Sequence, residues 1–275
     1  LEHRFISYKN SQVSWYRFGS GQQPVICFHG YGESGSYFSF LEQNAGNQFS
    51  FFAIDLPFHG KTEWNEGLDF TSEDLWQIIN TILKENRSKL LIADSRLSLL
   101  GFSLGGRVAL SLYQAIPDRI EKIVLLAPDG LKVNFWYWLS TQTWIGNKVF
   151  YFTMQNPTWF FGFLKIFNWL GLVNSSIFKF VKYYIDNKKV RHELYNRWIT
   201  LRSLRPNLSK IKSLINQHET RCRLIYGKHD RIILSERGEK FRKGIEEYCS
   251  VSVIESGHQV LHEKHVKDIV DRLIS

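Results

Sequence analysis

The chain has 275 residues, 44% hydrophobic and 22% charged, a make-up normal for a globular protein with one large core or a core plus a small inserted unit. Its formal charge of +9 permits attraction to anionic surfaces or substrates without requiring it. Three cysteines, with no pair at metal-site spacing, exclude a disulfide framework.

Cys27, Cys222 and Cys249 each lie in or beside an apolar run and are expected as buried thiols in a reducing compartment. The first residues, Leu1 to Phe5, carry no apolar signal segment, and no run approaches the roughly 18 apolar residues of a membrane span. A cytoplasmic protein is expected, with room for a trimmed leader because the chain does not begin with Met.

In chain order, Arg4–Lys9 and Gln12–Arg17 alternate polar and apolar residues around Asn10-Ser11, the pattern of a hairpin at a sheet edge. Pro24–Phe28 is a short buried strand running into the glycine-rich turn His29-Gly30-Tyr31-Gly32-Glu33-Ser34-Gly35. Phe49–Asp55 is the next strand, followed by Leu56-Pro57-Phe58-His59-Gly60-Lys61-Thr62. A helix is predicted after Thr71, its cap, with Glu73 and Asp74 in the first turn and Leu75, Ile78, Ile79, Ile82 and Leu83 at helical spacing. The apolar run Leu97–Leu100 leads into Gly101-Phe102-Ser103-Leu104-Gly105, and a helix-like run, Arg107–Ala115, follows. Ile120–Ala127 is a strand closed by Pro128-Asp129-Gly130. Strands alternating with helices in this way predict an α/β fold, a mostly parallel central sheet covered on both faces.

The rhythm breaks from about Leu131 to Pro206, where only helical stretches appear. It resumes with helix Leu208–His218, strand Cys222–Tyr226, helix Ser235–Lys243, strand Ser250–Ile254 and helix Leu261–Leu273. Residues 1–130 and 207–275 are therefore expected to form the core, with 131–206 an inserted helical unit. Between Phe135 and Leu170 that insert holds 14 aromatic residues and only two charges, Lys148 and Lys165. From Phe178 to Lys212 ten Lys and Arg face only Asp186 and Glu193. The aromatics are grouped apart from the charges and no binding motif is present, so nucleic acid is not an expected partner.

Ser103 carries the chemistry. In G-x-S-x-G, Gly101 and Gly105 let the chain pass close to its neighbours, so a serine between strand and helix projects its Oγ from the sheet. Serine needs a base to take its proton and an acid to orient that base. His258, in Ser256-Gly257-His258, and Asp230, in Gly227-Lys228-His229-Asp230, each follow a predicted strand, and nucleophile, acid and histidine come in the order such an architecture uses. A turn aspartate and a packing histidine are the plainer readings of each alone. Asp129 is an alternative acid. The developing oxyanion needs backbone donors, for which the amides of Leu104 and Tyr31 are the natural pair. His262 and His265 fall on the predicted last helix and lack the acidic partners of a metal site, so neither metal nor cofactor is expected.

On these motifs the sequence resembles the α/β-hydrolase fold proteins, in the lidded branch of small esterases, lipases, C–C bond hydrolases and related lyases. The marks are His29-Gly30, Asp55 to Thr62, Gly101–Gly105, Gly227 to Asp230 and Gly257-His258, and they span about residues 12–273 while fading within the insert. The resemblance implies that the insert is a lid over the active site and that Ser103, rather than an aspartate, is the nucleophile. Phe58 stands where that family usually has Gly, which implies a tighter loop or a pocket wall; Phe102 belongs to the same wall.

The expected activity is cleavage of an ester or related acyl bond of a small apolar substrate, with an acyl or aryl group, through an acyl-enzyme. The aromatic insert is read as pocket lining, as packing of the lid helices on one another, or as a surface making weak contact with a membrane. A C–C hydrolase or lyase taking a carboxylate through Arg107, Arg191, Arg197 or Arg202 is the alternative reaction. A non-catalytic binding protein of the same fold is the alternative class. Oligomeric state is not legible.

Overall fold

The computed structural model describes residues 1–86, 96–132, 134–169 and 185–275, apart from the side chains of 164–169. The described strands are β1 (Glu2–Tyr8), β2 (Ser11–Phe18), β3 (Gln23–Phe28), β4 (Phe49–Ile54), β5 (Leu97–Phe102), β6 (Ile120–Leu126), β7 (Arg221–Gly227) and β8 (Cys249–Ile254). They form one sheet in the order β1-β2-β4-β3-β5-β6-β7-β8. The first hairpin is antiparallel and β2 runs antiparallel to β4; every pairing from β4 through β8 is parallel.

Every residue of β4 (Phe-Ser-Phe-Phe-Ala-Ile) and of β5 (Leu-Ser-Leu-Leu-Gly-Phe) is buried, as expected where helices cover both faces of a parallel sheet. Helix α1 (Ser72–Glu85) buries Leu75, Ile78, Ile79, Ile82 and Leu83. It starts at Thr71 through a reciprocal cap: Asp74 N donates to Thr71 Oγ1 (3.1 Å) and Thr71 N to Asp74 Oδ2 (3.0 Å). Such a cap is worth about 1 kcal/mol. Helix α2 (Leu104–Ala115) follows β5 and is buried along nearly its whole length.

From β3 the chain passes to β4 on one side, and β5 then pairs with β3 on the other. The carboxyl ends of β3 and β5 therefore flank a topological switch point, the place where parallel α/β sheets open a crevice. His29 lies just beyond β3 and Ser103 just beyond β5.

The chain divides into two compact units, Leu1–Lys132 with Ser203–Ser275, and Val133–Arg202. The described helices of the second unit are α3 (Phe135–Gln142), α4 (Trp144–Gln155), α5 (Thr158–Trp169) and α6 (Lys188–Thr200). Asn134, Thr143 and Asn187 cap α3, α4 and α6 through their side-chain oxygens. Inside this unit the Trp198 ring lies 5.1 Å from Tyr137 and 5.5 Å from Phe150, and Phe150 lies 5.3 Å from Tyr195.

The first unit is completed by α7 (Leu208–His218), α8 (Glu236–Arg242) and α9 (Val266–Ile274). The last helix starts later than the Leu261–Leu273 read from the sequence. Val260 and Leu261 are buried in the core before it, and His262 caps a 3-10 turn by accepting from Lys264 N at 3.2 Å. His262 thus precedes the helix instead of lying on it. His265 is buried, and desolvation holds its pKa below the ordinary value.

Candidate active site

The strand-to-helix turn after β5 places Ser103 in a conformation that side chains rarely adopt, with φ 49° and ψ −112°. Backbone bonds hold it there: Ser103 N donates to Leu126 O of β6 (2.9 Å), and Ser103 O accepts from Gly106 N (2.9 Å) and Asp129 N (2.8 Å). A strained residue of this kind costs on the order of 1–3 kcal/mol and persists because its surroundings over-determine it. Gly105 is a second requirement, since a Cβ there would sit 1.9 Å from Phe28 O, inside the backbone of β3.

The loops after β7 and β8 bring the acid and the base together. Asp230 Oδ1 accepts from Ile232 N (2.7 Å) and Ile233 N (3.0 Å), while Oδ2 meets His258 Nδ1 at 2.7 Å. The carboxylate side chain is fully shielded. The two loops are joined by Lys228 N to Ile254 O and His229 N to Ser256 O, both 2.9 Å. His258 Nε2 lies 3.0 Å from Ser103 Oγ. Because an ionised carboxylate only accepts, Asp230 selects the tautomer with hydrogen on Nδ1, which leaves Nε2 to receive the serine proton. Phe102 flanks the imidazole at 5.5 Å between ring centroids.

The loop after β3 is fixed with equal detail. Leu56 N donates to His29 Nε2 (3.1 Å), so the buried His29 carries its hydrogen on Nδ1 and donates to Gly30 O (2.7 Å). No described peptide is cis. In a trans peptide the Tyr31 N–H points opposite to the Gly30 carbonyl, so the His29 ring sets the direction of the Tyr31 amide. Leu104 N heads α2, where the first amides have no acceptor within the helix and the dipole is positive. Both are groups an oxyanion would use.

Three roles at the site are not read from the sequence, although Asp55 and His59 lie within the Asp55–Thr62 motif. Asp55, fully buried, accepts from Ser14 Oγ (2.8 Å), Gly35 N (2.7 Å) and Lys61 N (2.9 Å), tying the loops after β3 and β4 together. Glu33 accepts from Gly30 N (3.0 Å) through one oxygen and from Gln259 Nε2 (3.2 Å) through the other, bridging the Tyr31 loop to the residue after His258. Burial pushes the Glu33 carboxyl above its ordinary range, offset in part by the Gly30 amide, the Gln259 amide and the charge on His258. The only clue to it was a carboxylate three residues after Gly30 in a glycine-rich turn. The buried His59 is the third: its ring lies 5.1 Å from His29 and 5.8 Å from Tyr31.

Phe58 adopts φ 61°, the left-handed region that favours glycine. Asp129 sits apart from the histidine: its Oδ1 accepts from Gly130 N (2.8 Å) and its Oδ2 lies 3.6 Å from Arg107 Nε. Arg191 donates to the carbonyls of Met154, Ile185 and Asp186, and Arg197 pairs with Glu193 at 3.2 Å. Among the described residues no group of three His, Cys, Asp or Glu is placed to hold a metal, and no helix is long and apolar enough to cross a membrane.

The sheet order and the strained serine at the carboxyl end of β5 are those of the α/β-hydrolase fold. The chain belongs to the family described as serine aminopeptidase, S33, which matches residues 20–265. It is a carboxylesterase-like serine hydrolase acting on small acyl substrates. Over 270 residues it is 24% identical to the uncharacterized hydrolase YugF of Bacillus subtilis, covering 91% of this chain and 90% of that one. A shorter match, 30% identical over 115 residues, is to a pimeloyl-[acyl-carrier protein] methyl ester esterase of Aeromonas salmonicida and spans 42% of this chain and 41% of the esterase. In fold it is similar to a thermophilic esterase from Thermogutta terrifontis, with TM-score 0.67 and 17% identity over 100% of this chain and 98% of that one. It is also similar to the thioesterase domain from the curacin biosynthetic pathway, with TM-score 0.62 and 16% identity over 99% of each chain.

Proposed function

We propose that the protein cleaves an ester of a small apolar acyl group by double displacement, with Ser103 as nucleophile, His258 as base and Asp230 as its orienting acid. The reading rests on one observation, the unbroken hydrogen-bonded chain from Asp230 Oδ2 through both nitrogens of His258 to Ser103 Oγ. His258 takes the Oγ proton as the serine attacks the carbonyl carbon, and Asp230 stabilises the imidazolium. The oxyanion is received by the amides of Tyr31 and Leu104. His258 then protonates the departing alcohol, and the resulting acyl-serine is hydrolysed by a water that the same imidazole deprotonates.

Ester cleavage is supported by the likeness, over 42% of this chain, to a pimeloyl-[acyl-carrier protein] methyl ester esterase, and the apolar acyl class by the aromatic-rich insert. The helical unit, inserted in the chain between β6 and α7, is proposed as the element that selects the acyl group. Capture of a carboxylate by Arg107, Arg191 or Arg197 is disfavoured because each is already engaged, which leaves Arg202 as the arginine to test for that alternative. A cytoplasmic location is supported by Cys27, Cys222 and Cys249, all free and buried.

The test is labelling with a fluorophosphonate probe followed by intact mass, beside hydrolysis of p-nitrophenyl esters from acetate to laurate. A single adduct is expected on the wild type and none on Ser103→Ala or His258→Ala, with kcat falling on the order of 10⁴- to 10⁶-fold. A folded wild type that neither labels nor hydrolyses any ester would overturn the proposal and favour a binding protein.

A further inference from the structure

Helix α4 is amphipathic in the wrong sense for a helix of a water-facing unit. Its inner side carries Thr153 and Met154, both buried. Its outer side carries Trp144 (71% exposed), Ile145 (68%), Val149 and Phe152, with Ile145, Val149 and Phe152 four and three residues apart along one face. The face continues into α5, where Trp159 lies 6.3 Å from Phe152 and 5.7 Å from Phe163 between ring centroids. Among the described residues 16 large hydrophobic side chains are exposed, and nine of them lie between Phe135 and Phe163. That concentration makes a patch, where scattered exposed side chains would need no explanation.

The sequence around the patch is also selectively charged. Lys148 projects from the centre of the patch, its Nζ 3.8 Å above the Trp144 ring. From Leu131 to Ile185 the sequence contains no Asp or Glu and five Lys, at positions 132, 148, 165, 179 and 182. Tryptophan and phenylalanine beside lysine, with every carboxylate left out, is the composition that partitions into the headgroup region of an anionic bilayer. A protein–protein interface is depleted of lysine as well as of carboxylates, whereas an anionic bilayer combines apolar area with a demand for cations.

We infer that the outer face of α4 and α5 docks the protein on anionic phospholipid membranes, with Trp144, Ile145, Phe152 and Trp159 entering the interface and Lys148 meeting the lipid phosphates. The inference concerns the helical unit alone and holds whether or not Ser103 is the nucleophile. With α5 only 12 residues long, the contact is a surface one and no span is implied.

Flotation of the full chain with vesicles tests it. Wild type is expected to float with phosphatidylcholine vesicles containing phosphatidylglycerol, and several-fold less with phosphatidylcholine alone or at high salt. The double variant Trp144→Ser/Phe152→Ser is expected to bind at least about tenfold more weakly, and Lys148→Glu to lose the preference for anionic lipid. Circular dichroism of the variants establishes that they are folded. Absence of flotation with anionic vesicles overturns the inference, as does equal flotation of the double variant. A wild-type dimer that Trp144→Ser/Phe152→Ser converts to monomer overturns it in favour of a self-association face.

Discussion

The two compact units hold their aromatic side chains in opposite ways. In the sheet-bearing unit Trp15, Phe28, Phe38, Phe51 and Phe52 are wholly shielded. In the helical unit Phe135, Trp136, Trp144 and Phe163 are each more than half exposed. The residue types are the same and the periodicity differs. A strand between two helical layers shields every ring it carries, whereas a helix shields only the stripe that meets a neighbour. A large ring is therefore no marker of core by itself, and its energetic weight depends on which pattern it sits in.

The sharpest break in the comparison concerns chemistry. Asp230→Asn, in the sheet-bearing unit, leaves the hydrogen-bond geometry nearly intact but favours the wrong imidazole tautomer, and kcat for ester hydrolysis is expected to fall on the order of 10⁴-fold with KM little changed. A loss below tenfold would return the acid role to another group. Next comes packing. Phe52→Ala is expected to cost about 3–5 kcal/mol of stability, while Trp144→Ser, removing a larger ring, is expected to stay within about 0.5 kcal/mol. Urea denaturation of the two variants measures both, and equal costs would erase the contrast between the units.

The smallest effect is electrostatic. Glu33 keeps its proton to higher pH in the native state than in the unfolded chain, whose ordinary value is 4.5. Between those two values the native state binds more protons, so stability falls as pH rises through the window and stays lowered above it. Glu33→Gln preserves an acceptor for Gly30 N and removes this slope. Thermal melts over pH are expected to show the variant gaining on wild type from acid to neutral pH, and a gain toward acid pH would contradict the assignment.

Legibility followed the same division. Strands β4 and β5 are mostly apolar runs, each broken only by small residues such as Ser50 and Ser98, and Thr71 with Asp74 is a cap that can be read three residues at a time. Ser103, Asp230 and His258 were each visible as strand-end residues, although only the fold brings positions 103, 230 and 258 within bonding distance. The start of α9 was misplaced because Val260 and Leu261 are apolar and buried yet lie in a turn, where Val260 N donates to His258 O and His262 N to Val260 O. The roles of Glu33 and Asp55 were not legible for a different reason. Their roles consist of bonds to backbone amides of other loops, and an amide leaves no trace in a side-chain pattern.

The bond from Asp129 N to Ser103 O has a use in protein engineering. It fastens the first residues after β6 to the peptide of the serine itself, while Gly130, at φ 99°, turns the backbone through the left-handed region immediately after it. Chimaeras that exchange the helical insert with that of a distant cousin should accordingly be spliced after Gly130. A graft that begins at Pro128 would replace one of the three backbone bonds that hold the elbow serine, along with the part being exchanged.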